Sequence, residues 1–129
     1  MPKFSKKSRD KLMTCDARLI KLFTQIIQDY DCTILSGHRS VDEQRILVQN
    51  GASKTMNSKH ILQPSHAVDV APYPIKWNDL NRFYHFVGYV RGIAKSLDIK
   101  IRCGADWDGD FDLKDQNFND LVHFELMGK

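Results

Sequence analysis

The stretch Ser58-Lys59-His60-Ile61-Leu62-Gln63-Pro64-Ser65-His66-Ala67-Val68-Asp69 places two histidines and an aspartate within ten residues. From His66 it runs on through Val70 and Ala71 without Gly or Pro, then meets Pro72 and Pro74, and this reads as a strand. The part before it belongs to a polar region, 51–65, that holds Gly and Pro and few apolar anchors. That region reads as a long loop, and loops of such length inside a compact domain tend to be functional. A second cluster, Asp120-Leu121-Val122-His123-Phe124-Glu125, lies near the other end and reads as the last strand, 121–126. The expectation is that the two clusters meet in space and that their imidazoles and carboxylates hold a metal ion.

Working outward, apolar residues Leu12, Cys15, Leu19, Ile20, Leu22, Phe23, Ile26 and Ile27 share one helical face. They predict a packing helix over about 9–29 with Ser8 as its N-cap. Cys32-Thr33-Ile34-Leu35 reads as a strand ended by Ser36-Gly37. Ser40 with Glu43 forms a capping box for a helix through Ile46, Leu47 and Val48 that stops at Gly51. Asn78 or Asp79 caps the longest helix, about 79–97, and Ile99–Cys103 alternates as a strand. Residues 104–119 form a second long polar loop. The order predicts one α+β domain spanning 1–129, an antiparallel sheet flanked by helices, with the histidine clusters at strand edges and loops.

Composition narrows the class without naming a partner. The chain has 129 residues, 42% hydrophobic and 27% charged, which fits one globular domain able to bury a core. A net charge of +3 favours loose attraction to an acidic polymer but specifies none. No basic stripe with interleaved aromatics marks a nucleic-acid binder. Cys15, Cys32 and Cys103 are odd in number and unpaired by any C-x-x-C spacing, so three reduced, buried thiols are expected. The basic N-terminus leads into no apolar h-region, and no run approaches the roughly 18 apolar residues that span a bilayer. Neither a secretory signal nor stable membrane association is expected.

The chemistry lies in the two clusters. Hydrolytic zinc sites take three His and Asp or Glu ligands and keep a position for water. His60, Asp69 and His123 supply such a set: one loop positions the local pair, and the third ligand is distant. The metal draws the pKa of water from about 15.7 towards about 7. A nearby carboxylate must then take the proton, and Asp120 is the candidate. Asp120 and His123 would face opposite ways on a regular strand, so Asp120 must lie in the turn before it.

These segments resemble the zinc peptidases that include D-alanyl-D-alanine carboxypeptidases, vancomycin-resistance dipeptidases and phage L-alanyl-D-glutamate peptidase endolysins. Ser58-Lys59-His60 and His66-Ala67-Val68-Asp69 are similar to the motif S-x-H-x-x-G-x-A-x-D, and Asp120 to Glu125 to its closing E/D-x-x-H-x-E. Ser36-Gly37-His38-Arg39-Ser40 with Gln44 resembles S-G-x-R-S/T-x-x-x-Q, and Gly104-Ala105-Asp106-Trp107 resembles the endolysin G-G-D-W. The resemblance covers about 31–126. It implies His60, Asp69 and His123 as zinc ligands and Asp120 as base. Arg39 would hold a substrate carbonyl, carboxylate or developing oxyanion, with Gln44, Ser58 and Trp107 also contacting substrate. The activity implied is hydrolysis of the L-alanyl-D-glutamate bond of the peptidoglycan stem peptide by a monomeric phage endolysin. Such an enzyme accumulates in the host bacterial cytoplasm until a holin opens the membrane. A D-alanyl-D-alanine carboxypeptidase or dipeptidase with the same site, and an inactive metal-binding wall module, are the alternatives.

Two departures stand out. His60 and Asp69 are two residues further apart than in the motif, with the excess around Gln63-Pro64, and Ser65 replaces the motif's glycine. Loops absorb length cheaply, so the ligands need not move. His66 is the rival ligand, but a regular strand would point it away from the face of Asp69. His38 and His85 default to structural or surface roles. Glu125 either orients His123 or packs the strand end, and Trp107 either lines the groove or covers the core. The alternating carboxylates Asp106, Asp108, Asp110 and Asp112 around Gly109 read either as a calcium loop or as a solvated acidic turn.

Overall fold

The computed structural model describes residues 2–53, 56–109, 111 and 120–128. Among them the helices are α1 (Lys6–Leu12), α2 (Ala17–Ile27), α3 (Val41–Gln49) and α4 (Leu80–Ser96). The strands are β1 (Cys32–Ser36), β2 (Ala67–Pro72), β3 (Ile101–Cys103) and β4 (His123–Leu126), with a 3-10 turn at Lys59–Ile61. The strands form one antiparallel sheet in the order β1-β2-β4-β3. The expected α+β architecture, an antiparallel sheet with helices, is what the chain adopts.

Alternation along the strands divides the sheet into two faces. Val68, Val70, Phe124 and Leu126 turn towards α2 and α4 and join Leu19, Leu22, Phe23, Ile26, Phe86, Val87 and Val90 in the core. Phe124 is the hinge of this packing, with ring centroids 5.6 Å from Phe23 and 6.1 Å from Phe86, both edge-on. Ala67, Asp69, His123 and Glu125 leave the opposite face. Every residue of β2 is buried, so the polar members of that face are inside the protein as well.

The single helix expected over 9–29 is instead two. The apolar stripe continues across Leu12, Cys15 and Leu19, but the backbone between them is used elsewhere. Asp16 caps α2, its Oδ1 accepting from Arg18 N at 2.9 Å. Ser65 N donates to Thr14 O at 3.0 Å, and Asp16 N donates to Ser65 O at 2.8 Å. The expected cap Ser8 lies inside α1, where its buried Oγ accepts from Ile34 N at 3.0 Å. Ser5 caps that helix instead. Tertiary hydrogen bonds thus override a periodic pattern and tie the N-terminal segment to the loop that follows His60.

The other boundaries follow local chemistry. Ser40 and Glu43 close the capping box of α3 in both directions, at 3.1 and 3.0 Å. Asp79 caps α4. The exit from α4 needs a left-handed residue, and Asp98 takes it at φ 57° while Ile99 N reaches back to Ala94 O at 2.9 Å. All three cysteines are free and buried, as expected. No described helix is long and apolar enough to cross a membrane.

Candidate metal centre

Sheet register builds the centre. Asp69 on β2 pairs directly with His123 on β4, so both side chains leave the same face side by side. His60 comes from the 3-10 turn, whose N-cap Ser58 accepts from His60 N at 3.2 Å. That turn is held against the sheet because Lys59 O accepts from His66 N at 3.1 Å and His60 O accepts from Arg39 N at 2.8 Å. His60 Nε2 and His123 Nδ1 both lie 3.2 Å from Asp69 Oδ1. One donor atom from each of the three residues falls within 4.8 Å of the others, and all three residues are buried.

The donor set fits a metal ion of the kind that mixes imidazole with carboxylate. Each imidazole turns its second nitrogen to a fixed acceptor: His60 Nδ1 donates to Gly37 O at 2.7 Å, and His123 Nε2 to Glu125 Oε1 at 2.8 Å. These partners fix each ring so that His60 Nε2 and His123 Nδ1 are the nitrogens that face Asp69. Asp69 Oδ2 is held by Arg39 Nη2 at 2.7 Å. Gly37 has to be glycine here, because a Cβ would overlap Lys11 O and Thr14 Oγ1.

The electrostatics of the metal-free centre show how strongly the cluster is coupled. Burial alone would raise the Asp69 carboxyl, yet hydrogen bonds from His123 and His60 hold it well below the ordinary carboxylate range. Burial would lower His123, but its bonds to Asp69 and Glu125 carry it up to about 9. Glu125, despite burial, is brought down to about 2 by His123, Arg102 and Lys59. Asp120 is raised instead, by burial and by the charge of Asp69. The two neighbouring carboxyls, Asp69 and Asp120, are thus shifted in opposite directions.

Beside the cluster opens a cleft of about 420 Å³, lined among others by Arg39, Ser58, Asp120, Trp107 and Arg102. Asp120 occupies the turn before β4, as expected, with its O accepting from His123 N at 3.1 Å and its N donating to Gly104 O at 3.0 Å. A Cβ at Gly104 would overlap the Asp120 carbonyl oxygen and meet its Cβ at 2.8 Å, so this close crossing requires glycine. The Trp107 ring lies 5.2 Å from that of His123, which puts it on the cleft wall.

Other expectations need correction or fall on residues beyond those described. Gln44 was expected to touch substrate; it is fully buried, does not line the cleft, and supports Arg39 from behind. Its Oε1 accepts from Arg39 Nη1 at 3.1 Å while Nε2 donates to Ser53 Oγ at 2.8 Å. It is the sole fully buried side chain of α3. Arg39 also donates through Nε to Ser36 Oγ at 3.1 Å, which leaves part of its fork for the cleft. His66 lies outside the cluster, 3.7 Å from Asp16 Oδ2. His85 accepts or donates at 2.8 Å to Tyr30 on the surface, and His38 N donates to Thr14 Oγ1 at 2.9 Å. Of the acidic run, Asp106 is buried against Arg91 at 3.0 Å, while Asp110 and Asp112 lie outside the described residues. Lys59 and Arg102, which sequence reasoning passed over, both reach Glu125, at 3.3 and 3.0 Å. The alternation of Ile101-Arg102-Cys103 marked Arg102 as opposite in face to the core, but not which strand it would meet.

Residues 1–127 match the family described as phage L-alanyl-D-glutamate peptidase. The L-alanyl-D-glutamate peptidase of Escherichia phage T5 is 36% identical over 136 residues, covering 97% of this chain and 98% of that protein. The crystal structure of the Serratia marcescens L-Ala D-Glu endopeptidase ChiX superposes with a TM-score of 0.76 at 25% identity, covering 95% of this chain and 88% of that one. With its motifs, its sheet register and its relatives in agreement, the chain belongs to the phage L-alanyl-D-glutamate peptidase family.

Proposed function

We propose that the protein is a zinc-dependent endopeptidase that hydrolyses the L-alanyl-D-glutamate bond of peptidoglycan stem peptides and serves as a phage endolysin. The observation that carries this reading is the His60, Asp69 and His123 cluster, assembled by strand register and opening on a cleft that also holds Asp120 and Arg39. His60, Asp69 and His123 would hold the ion, and when bound, zinc supplies Lewis acidity that acidifies water and polarises a peptide carbonyl. Asp120 takes the proton of the attacking water and hands it to the leaving amine. Burial beside Asp69 raises its pKa, which suits a group that must both accept and release a proton. Arg39 donates from the cleft wall towards the scissile carbonyl as negative charge develops there. Ser58 and Trp107 shape the walls.

Digestion of purified walls, with identification of the new termini, tests the reading. Freed N-terminal D-glutamate that disappears with chelator and returns with zinc is the expected result. Freed D-alanine would favour the carboxypeptidase alternative. Asp120→Ala should lower turnover about 10²–10⁴-fold while metal content is retained. Unchanged turnover would refute the mechanism, and a metal-loaded protein without hydrolysis would indicate a wall-binding module. As an endolysin it would act as a monomer, reaching the wall once a holin opens the membrane. Lysis only on co-expression with a holin checks the latter.

The calcium reading of the acidic run has one structural support: Asp106 Oδ1 is buried and without a hydrogen-bond partner among the described residues. Its Oδ2 takes Arg91 and Phe111 N at 3.0 and 2.9 Å. Calcium calorimetry with no heat and no change in hydrolysis rate would overturn that reading.

A further inference from the structure

Among the described residues, two arginines and one lysine line the cleft: Arg39, Lys59 and Arg102. Arg39 is turned inward onto Asp69, Gln44 and Ser36, with its side chain 16% exposed. Lys59 is bound to Leu126 O and to Glu125. Arg102 differs from both. It pairs with Glu125 across β3 and β4, and Glu125 pairs with Ala67 across β4 and β2, so its side chain leaves the sheet on the face that carries Asp69 and His123. Nη2 donates to Glu125 Oε2 at 3.0 Å, and the guanidinium carbon lies 5.3 Å from the centroid of the Trp107 ring. The side chain is 45% exposed, and no other hydrogen-bond acceptor engages it among the described residues. A guanidinium carries five N–H donors in a rigid fork, so the edge not used by Glu125 remains available to the cleft.

We propose that Arg102 forms a carboxylate subsite, which reads the free carboxyl group of the glutamyl residue on the leaving side of the scissile bond. The inference rests on the L-alanyl-D-glutamate reading above and deepens it. A glutamyl residue that gives its nitrogen to the scissile bond has two carboxyl groups, and at most one of them can carry the chain onward. The other is an anion at neutral pH, only a few bonds from the reacting centre. A planar fork held on one side by Glu125 and on its face by Trp107 matches a carboxylate with paired charge-assisted bonds. Because the arginine is already fixed, little side-chain freedom is lost when the anion arrives. Glu125 then links the two tasks: one oxygen orients His123 on the ion, the other orients Arg102 on the substrate.

Two synthetic L-alanyl-D-glutamyl peptides, identical except that this carboxyl is free in one and a primary amide in the other, provide the test with the zinc-loaded protein. Wild type should cleave the free acid with a kcat/KM about tenfold to hundredfold higher, the range of a charge-assisted pair. Arg102→Gln should bring the ratio to within about twofold, chiefly through KM. Arg102→Lys, which keeps the charge without the fork, should fall between, and Lys59→Gln should retain the wild-type preference. Equal cleavage of both peptides by wild type would overturn the subsite while leaving the peptidase reading intact. The subsite is likewise overturned if Arg102→Gln keeps the wild-type ratio, or lowers both substrates alike with loss of metal, since the arginine would then merely support Glu125. Cleavage of neither peptide by wild type would overturn the L-alanyl-D-glutamate reading itself.

Discussion

Metal-free protein should lose stability as pH rises from 6 to 8.5, and the fall originates at His123. In the metal-free centre this imidazole is carried from its ordinary 6.5 to about 9 by Asp69 and Glu125, against the opposing effect of burial. A base whose folded pKa is raised stabilises the fold fully below its unfolded value and loses that contribution as pH passes through the folded value. The window is therefore about 6.5 to 9, and the full effect is about 3 kcal/mol, of which about 2 kcal/mol is lost by pH 8.5. The thiols do not confuse this range, because burial holds Cys15 up at about 11 and Cys32 and Cys103 at about 12. Urea unfolding of chelator-treated protein at a series of pH values measures the fall directly. Glu125→Gln removes one of the two anions holding the proton and should shrink it. The metal needs the neutral ring, so the loaded protein should show the reverse trend, with apparent metal affinity rising up to about tenfold per pH unit across the window. A metal-free wild type equally stable at pH 6 and 8.5, or a Glu125→Gln variant with an undiminished fall, would refute the reasoning.

Further outcomes follow from named contacts. Arg39→Lys loses the fork that spans Asp69, Gln44 and Ser36, and should lower kcat/KM about 100-fold with metal-binding capacity retained, as measured on wall peptides and by metal titration. Gly104→Ala places a methyl group against the Asp120 carbonyl and should reduce both activity and melting temperature, at about 1–3 kcal/mol of stability. Thr14→Val removes the acceptor of His38 N and the hydroxyl bonded to Lys11 O at 2.6 Å. A loss of about 1–3 kcal/mol in urea unfolding is expected, with a larger proportional loss of activity than of structure.

Much of the fold was readable because its boundaries are set locally. The Ser40 and Glu43 capping box and the apolar spacing of α4 are short-range signals, and the chain obeys them. The break between α1 and α2 was not readable, because the apolar stripe crosses it unbroken. It is imposed by hydrogen bonds to Ser65, some fifty positions away in the sequence. The metal-capable trio was legible through motif resemblance, because its spacing alone, two residues longer than the motif between His60 and Asp69, leaves ordinary core or surface roles open. The surrounding arrangement was not. That Gln44 would turn inward to hold Arg39, and that Arg102 would stand opposite Glu125, depends on which strands become neighbours and on what a helix buries.

The loop between His60 and Ser65 has a practical consequence. Its ends are clamped, by the bond from His66 N to Lys59 O on one side and by Ser65 bonded to Thr14 and Asp16 on the other. Between them Leu62, Gln63 and Pro64 are exposed. Length added there changes nothing at either clamp, which explains how two extra residues fit between ligands that still meet. The same position should accept a grafted peptide, such as an affinity tag or a wall-targeting segment. Such a graft would sit within a few residues of the metal-capable cluster, between ends held by hydrogen bonds.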